Sequence, residues 1–124
     1  MSNEITLSKA EFALDLTNAG LDVLDYVPER ITPPIVIITA GSPYLTAETV
    51  GNEYRLALNL TLVAATATNE EATEALDELI ANTVSALSTM GYVILKSVNT
   101  PYRLAANNAE YLASDLNLDL SITL

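Results

Sequence analysis

From Tyr54 to Ala64 the chain alternates. Tyr54, Leu56, Leu58, Leu60, Leu62 and Ala64 fall on one side, while Arg55, Asn59 and Thr61 fall on the other. Successive side chains of a strand point to opposite faces, so this period of two predicts a long, half-buried strand. At about 3.3 Å per residue, such a strand approaches the width of a small domain. The closing stretch shows the same period more strictly: Leu116, Leu118, Leu120, Ile122 and Leu124 alternate with Asn117, Asp119, Ser121 and Thr123. Ile35 to Thr39 is β-branched throughout and does not alternate, which predicts a strand buried on both faces. Tyr92 to Val98 reads as a further strand, and Leu21 to Val27 as a short one ended by Pro28.

Two stretches carry helical spacing instead. Ser8-x-x-Glu11 has the form of a capping box, with Leu7 and Phe12 placed as a hydrophobic staple. Phe12, Leu16 and Ala19 follow on one face and Gly20 is a stop, predicting a helix over 9–19. Thr68-x-x-Glu71 is a second capping box. Ala72, Leu76, Leu79, Ile80, Val84 and Leu87 then recur at spacings that predict an amphipathic helix over 69–90, closed by Gly91. Glu70, Glu71, Glu74, Asp77 and Glu78 crowd its first half, where carboxylates are favoured by the positive end of the helix dipole. Gly41-Ser42-Pro43 is expected to break the β-branched strand, and Thr100-Pro101-Tyr102 to open an irregular segment containing Asn107-Asn108. The segments 41–53 and 99–108 are therefore expected to be mobile in the free subunit. The order helix, strands, long helix, strand, strand offers one helical crossover. It predicts a single α+β domain over 1–124: an antiparallel or mixed sheet with its helices on one face.

Composition narrows the function more than the fold. The 124 residues are 50% hydrophobic with a formal net charge of −11, too apolar for a disordered chain despite the charge. Five basic residues stand against sixteen acidic ones. Stable nucleic-acid binding is driven by Lys and Arg displacing counterions from phosphates, so none is expected. There is no cysteine, which excludes a disulfide framework and a thiolate metal site. The N-terminal MSNEITLSKAEF lacks the basic start and apolar core of a secretory signal, and no apolar run is long enough to span a bilayer. A cytosolic product is expected, and the sequon at Asn59-Leu60-Thr61 is read as chance.

Little in the sequence carries chemistry. With neither histidine nor cysteine, the common nucleophilic triads cannot be assembled, and the four glycines are too isolated for a phosphate loop. The clustered carboxylates lie on a solvated helix face, where nothing raises a pKa. No enzyme activity and no cofactor are expected. Asp115-x-Asn117-x-Asp119 imitates the start of a calcium loop, but Leu120 stands where that loop needs glycine and the terminal glutamate is lacking. The period-two pattern reads the three as the wet face of a strand, so no metal is expected.

Taken together, several stretches resemble a known family. They are the first helix, "YVPERITPPIVIITAGSPYLT", "YRLALNLTLVAATAT", "EEATEALDELIANTVSAL", the segment opening on Pro101-Tyr102, and "YLASDLNLDLSITL". In that order they look like a tail terminator (tail completion) protein of long-tailed bacteriophages. The most specific part is Pro33-Pro34 before the β-branched run with Pro43-Tyr44 after it. The resemblance implies a small α+β subunit of a homohexameric ring. Such a ring caps the tail tube, stops its polymerisation, and presents a surface to a head-side connector protein while DNA passes through. It implies no catalytic residue, and a location in the host cytoplasm during assembly and then at the head-proximal end of the tail. Candidate interface residues are Pro33, Pro34, Pro43, Tyr44, Tyr54, Arg55, Pro101, Tyr102 and Arg103, since exposed Tyr and Arg are enriched at interfaces. The prolines read equally as devices that end edge pairing or as ordinary turn residues around a core strand. Two other classes remain open: another neck, connector or tube-like virion protein, and an acidic bacterial binding module.

Overall fold

The two alternating stretches pair with each other. In the computed structural model, which describes residues 4–24, 31, 33–47, 51, 53–65, 70–106 and 109–123, they form β3 (Glu53–Ala65) and β6 (Ala109–Thr123). The two run antiparallel with Leu56 opposite Leu120, Leu58 opposite Leu118 and Leu60 opposite Leu116. That register puts all six leucines on one face, and each is almost completely buried. Burial of one leucine contributes about 1.5–3 kcal/mol relative to exposure, so a one-residue slip, which would turn the whole row to solvent, is strongly disfavoured.

The remaining elements are α1 (Glu4–Asn18), β1 (Val23–Leu24), β2 (Ile35–Ala47), α2 (Glu70–Ser88), β4 (Val93–Val98) and β5 (Tyr102–Ala106). The sheet order is β1-β2-β3-β6-β4, with β5 also paired to β6. β1 is parallel to β2 and all other pairs are antiparallel, so the sheet is mixed. β3 and β4 both run against β6 and are thus parallel to each other. α2 makes the crossover between them, as two parallel strands of one sheet require, and β6 fills the place between them. Both helices cover the leucine face: Phe12 and Leu16 of α1 and Leu76, Leu79 and Leu87 of α2 join the same buried cluster. The expected α+β fold is the one observed.

α1 ends as its sequence predicts. Gly20 has φ 95°, a left-handed conformation that glycine adopts without penalty. The Leu21 N–H donates to the Leu16 carbonyl at 3.3 Å and the Gly20 N–H to Thr17 at 3.0 Å. This is the paired closure of a Schellman motif, sealed by contact between buried Leu16 and Leu21. Its start differs. Glu4 is already helical, so Ser8 lies inside the helix and is not its cap, and Leu7 faces solvent instead of stapling Phe12. The apolar spacing placed the buried face correctly, but it cannot fix where a first turn begins. In α2, Ala72, Leu76, Leu79, Thr83 and Leu87 are buried. Thr83 is tolerated there because its hydroxyl donates to the Leu79 carbonyl at 2.7 Å. Thr68 of the second capping box lies outside the described residues, as do Val27 and Pro28.

Four strand assignments depart from expectation. β2 does not stop at Gly41 but continues to Ala47 by bulging. Ala40 pairs with Leu58 and Leu45 with Leu56, leaving Gly41 to Tyr44 opposite Ala57 alone. The bulge contains the cis Ser42–Pro43 bond, and Pro33–Pro34 is cis as well. Gly41 eases this crossing, since a Cβ there would lie 3.0 Å from the Cβ of Ala57 and would make Ala57 shift by a few tenths of an ångström. The segment after Asn99 is not irregular: Tyr102 to Ala106 form β5 against the start of β6. β6 itself begins at Ala109, well before the alternating tail. β4 and β5 are in effect one edge strand interrupted at Asn99. The Asn99 N–H donates to the Asp115 carbonyl and its own carbonyl accepts from Ser114 Oγ. Finally, the first predicted strand reduces to Val23 and Leu24 among the described residues.

Candidate interaction surface

The face of the sheet opposite the helices is divided in two. At one end Ile31, Ile35, Ile37, Val63, Tyr111 and Ala113 form a second apolar cluster, with Leu24, Tyr102, Leu104 and Ala109 packed on it. This cluster is the reason that Ile35 to Ile38 lack alternation: both sides of β2 are covered there. Tyr111 is buried in it and its hydroxyl donates to the Ile31 carbonyl at 3.4 Å. At the other end the same face is polar. Thr61 lies opposite Asp115, Asn59 opposite Asn117, and Ala57 opposite Asp119. A 390 Å³ depression opens over Gly41, Ser42, Asn59, Lys96, Asn117 and Asp119.

Asp115 joins the two ends. Its Oδ1 accepts from Thr61 Oγ1 at 2.9 Å and from the Tyr102 hydroxyl at 3.1 Å, linking β3, β5 and β6. Asn117 Nδ2 donates to Ser97 Oγ at 3.0 Å, tying β6 to β4. The calcium-loop imitation of 115–119 is thus one side of an extended strand. The alternation expects Asp119 to be wet, yet it is only 7% exposed, at the floor of the depression between β3 and β4.

Burial, then the charge and hydrogen bond of Asp115, push Tyr102 from 10.0 up to about 12, against a smaller opposing effect of Thr61. Burial and Asp15 raise Tyr92 in the same direction, its hydroxyl being hydrogen-bonded to Asp15 Oδ2. A phenol whose folded pKa is raised contributes stability that is intact below pH 10 and lost as pH climbs through about 12. Urea unfolding followed through this alkaline window should therefore show falling stability, and Tyr102→Phe should flatten the fall. An unchanged slope in that variant would mean that Tyr102 is ordinary in the folded state.

The nine candidate interface residues fall at two ends of the sheet. Pro33 and Pro34 lead into Ile35, which pairs with Val63, itself opposite Ala113. Tyr102 also pairs with Ala113, and Arg103 with Leu112, so Pro101, Tyr102 and Arg103 share that end. Pro43, Tyr44, Tyr54 and Arg55 gather at the other, where Tyr54 meets Ile122 and Arg55 meets Ser121. Eight residues of β6 separate Ala113 from Ser121, about 26 Å at strand rise. Pro34, Pro43, Arg55, Pro101 and Arg103 are exposed, while the tyrosines and Pro33 are half-buried. Tyr44 and Tyr54 pack against the main core. Lys9 Nζ donates to the Tyr44 hydroxyl at 3.2 Å and lies 5.7 Å from the ring centroid. These tyrosines therefore have structural work within the fold, and only Tyr102 among them reaches the polar face.

Other surface features were not singled out from the pattern. Among the described residues the exposed large apolar side chains are Leu7, Leu14, Ile94 and Val98. Leu7 and Leu14 are one heptad apart, a signal that was present in the sequence. The outer edges of the sheet are also uncovered. Among the described residues, β1 covers β2 only at Val36 and Ile37, and nothing pairs outside β4 or β5. No described helix is long and apolar enough to cross a membrane. The chain matches no protein-family model and no curated protein.

Proposed function

We propose that this chain is the subunit of a phage tail terminator: a closed ring, six copies in the resemblance, that seats on the head-proximal end of the tail tube. There it ends tube growth and offers its other face to the head-side connector. The observation that carries this reading is a sheet whose β4 edge, and whose β2 edge beyond Ile37, have no strand partner among the described residues. Along β2-β3-β6-β4 the strands alternate in direction, so the β4 of one copy and the β2 of the next would also be antiparallel. A head-to-tail neighbour is thereby compatible with both edges, and a head-to-tail contact that closes by rotation makes a ring. Bulges and Pro43 on β2, with the bulge at Lys96 on β4, guard the same edges against indiscriminate pairing.

The acidic excess fits this role. A ring carrying sixteen acids and five bases per copy repels duplex DNA, so DNA passes without sticking. The same charge opposes assembly, so rings should loosen at low ionic strength, where screening is weakest. Host cytoplasm and then the virion are the places where the subunit acts in this reading.

The test is assembly mass by light scattering across salt and protein concentration, followed by imaging with purified tail tubes. Closed rings, free or on one end of each tube, are the expected result. A chain that stays monomeric throughout and never appears at a tube end removes the terminator reading and leaves the acidic binding module.

A further inference from the structure

The polar half of the open sheet face holds a buried charge. Asp119 is 7% exposed, yet among the described residues its carboxylate has no hydrogen bond and no ion pair. Every fully enclosed side-chain oxygen or nitrogen among those residues does have a partner. The oxygens of Asp119 are therefore reached from the 390 Å³ depression that it lines. Small neighbours keep that space open: Ala57 stands opposite Asp119, and Gly41 crosses Ala57 without a Cβ. A carboxylate so placed is costly unless donors reach it through the opening. The volume lies in the range of small-ligand sites, about 300–1,000 Å³.

The groups around Asp119 set what can enter. Asn117 Nδ2 donates to Ser97 Oγ at 3.0 Å, which leaves Asn117 Oδ1 as an acceptor. Asn59, opposite Asn117, and Ser42 of the β2 bulge add an amide and a hydroxyl. Lys96 is the other charged residue of the lining, and it forms no ion pair with Asp119. It is exposed, so its ammonium can turn to water on a flexible stem, whereas Asp119 is held at the floor. The buried acid, not the mobile base, therefore sets the charge of the entering group. A divalent cation is a poor match, since it needs several oxygen ligands and no group of three acids occurs among the described residues. A guanidinium is a good one. It is weakly hydrated, and its planar fork of five donors can share one carboxylate and nearby neutral oxygens.

We propose that this depression is a guanidinium site, which receives an arginine side chain of a different protein. Asp119 and Asn117 Oδ1 accept from its N–H groups, and Asn59 and Ser42 offer further oxygens. The arginine belongs to a different protein because a chain with five basic and sixteen acidic residues repels its own copies and attracts a basic surface. The site does not depend on the ring reading: it needs neither self-association nor a tail tube, and it would serve an acidic binding module as well as a ring subunit.

Titration of the isotope-labelled full chain with N-acetyl-arginine amide, followed by NMR, tests this. Saturable shifts are expected at Asn59, Asn117 and Asp119, with the millimolar affinity of a single side chain. The lysine amide should bind more weakly, and the citrulline amide, which keeps the shape without the charge, should not bind there. Asp119→Asn should weaken binding by about tenfold or more, with thermal unfolding as the check that it is folded. Lys96→Ala alters an exposed side chain and should tighten binding by about two- to fivefold, the effect of one exposed charge. This second variant decides the matter even where Asp119→Asn does not fold. No saturable shift, equal shifts with the citrulline amide, shifts confined to the acidic start of α2, or no tightening in Lys96→Ala would each overturn the site. Self-association that the arginine amide dissolves would put a second copy in the depression and overturn the partner assigned. Failure to form rings leaves the site standing.

Discussion

Phe12→Ala is expected to destabilise the protein by about 3–5 kcal/mol, a large part of the 5–15 kcal/mol that holds a typical domain folded. Phe12 is fully buried and is the chain's one phenylalanine. With Leu16 it supplies the buried face of α1, whose other side chains are exposed or half-buried. Truncation removes the transfer energy of the ring and leaves a cavity between α1 and the leucine face of β3 and β6. Because α1 is held by so few fully buried groups, the helix itself should loosen, with its amides exchanging ahead of those in β3. Urea unfolding with hydrogen exchange would show this. A loss below about 1 kcal/mol would mean that α1 contributes little to the folded state and that the sheet with α2 stands alone.

Asp115→Ala is the second large effect, about 2–3 kcal/mol. Two donors, Thr61 and Tyr102, share one charged acceptor, and hydrogen bonds to a charged group contribute more than neutral ones. Removing the acceptor leaves both hydroxyls without that partner at the junction of the apolar and polar halves of the open face. Thr61→Val and Tyr102→Phe should each lose about 1 kcal/mol, and each should be coupled to Asp115 in a double-mutant cycle. Additive losses would show that the three side chains are neighbours without being partners. Since Asp115 also ties β5 to β3, its loss should loosen the edge that carries Arg103.

The expectation that residues 99–108 are irregular failed at Tyr102 to Ala106 for a local reason. Pro101 is a turn signal, and the edge is interrupted at Asn99 to Pro101, while Asn107 and Asn108 lie outside the described residues. But β5 pairs along β6, and its alternation of Tyr102 and Leu104 with Arg103 and Ala105 is too short to stand out from a turn-rich background. Gly41-Ser42-Pro43 failed in the opposite sense. It is a genuine breaker that is absorbed as a bulge, because the strand beyond it finds a partner in Thr46–Arg55 and Ala47–Tyr54. In both cases the deciding partner lies elsewhere in the chain.

What the sequence determined by itself was everything that repeats at a fixed period. The leucine face of β3 and β6, the buried face of α2, the two-sided burial of Ile35 to Ile38 and the Gly20 stop are all written locally, because side-chain direction follows backbone geometry. Only the tertiary structure decided which of these surfaces meet. It placed β6 between β3 and β4, and set Asp115 between Thr61 and Tyr102. It buried Asp119 between β3 and β4 and split the nine interface candidates between two ends of the sheet. These are pairings across many residues of chain, fixed by the register that buries the most apolar surface, and no single stretch contains both members of a pair.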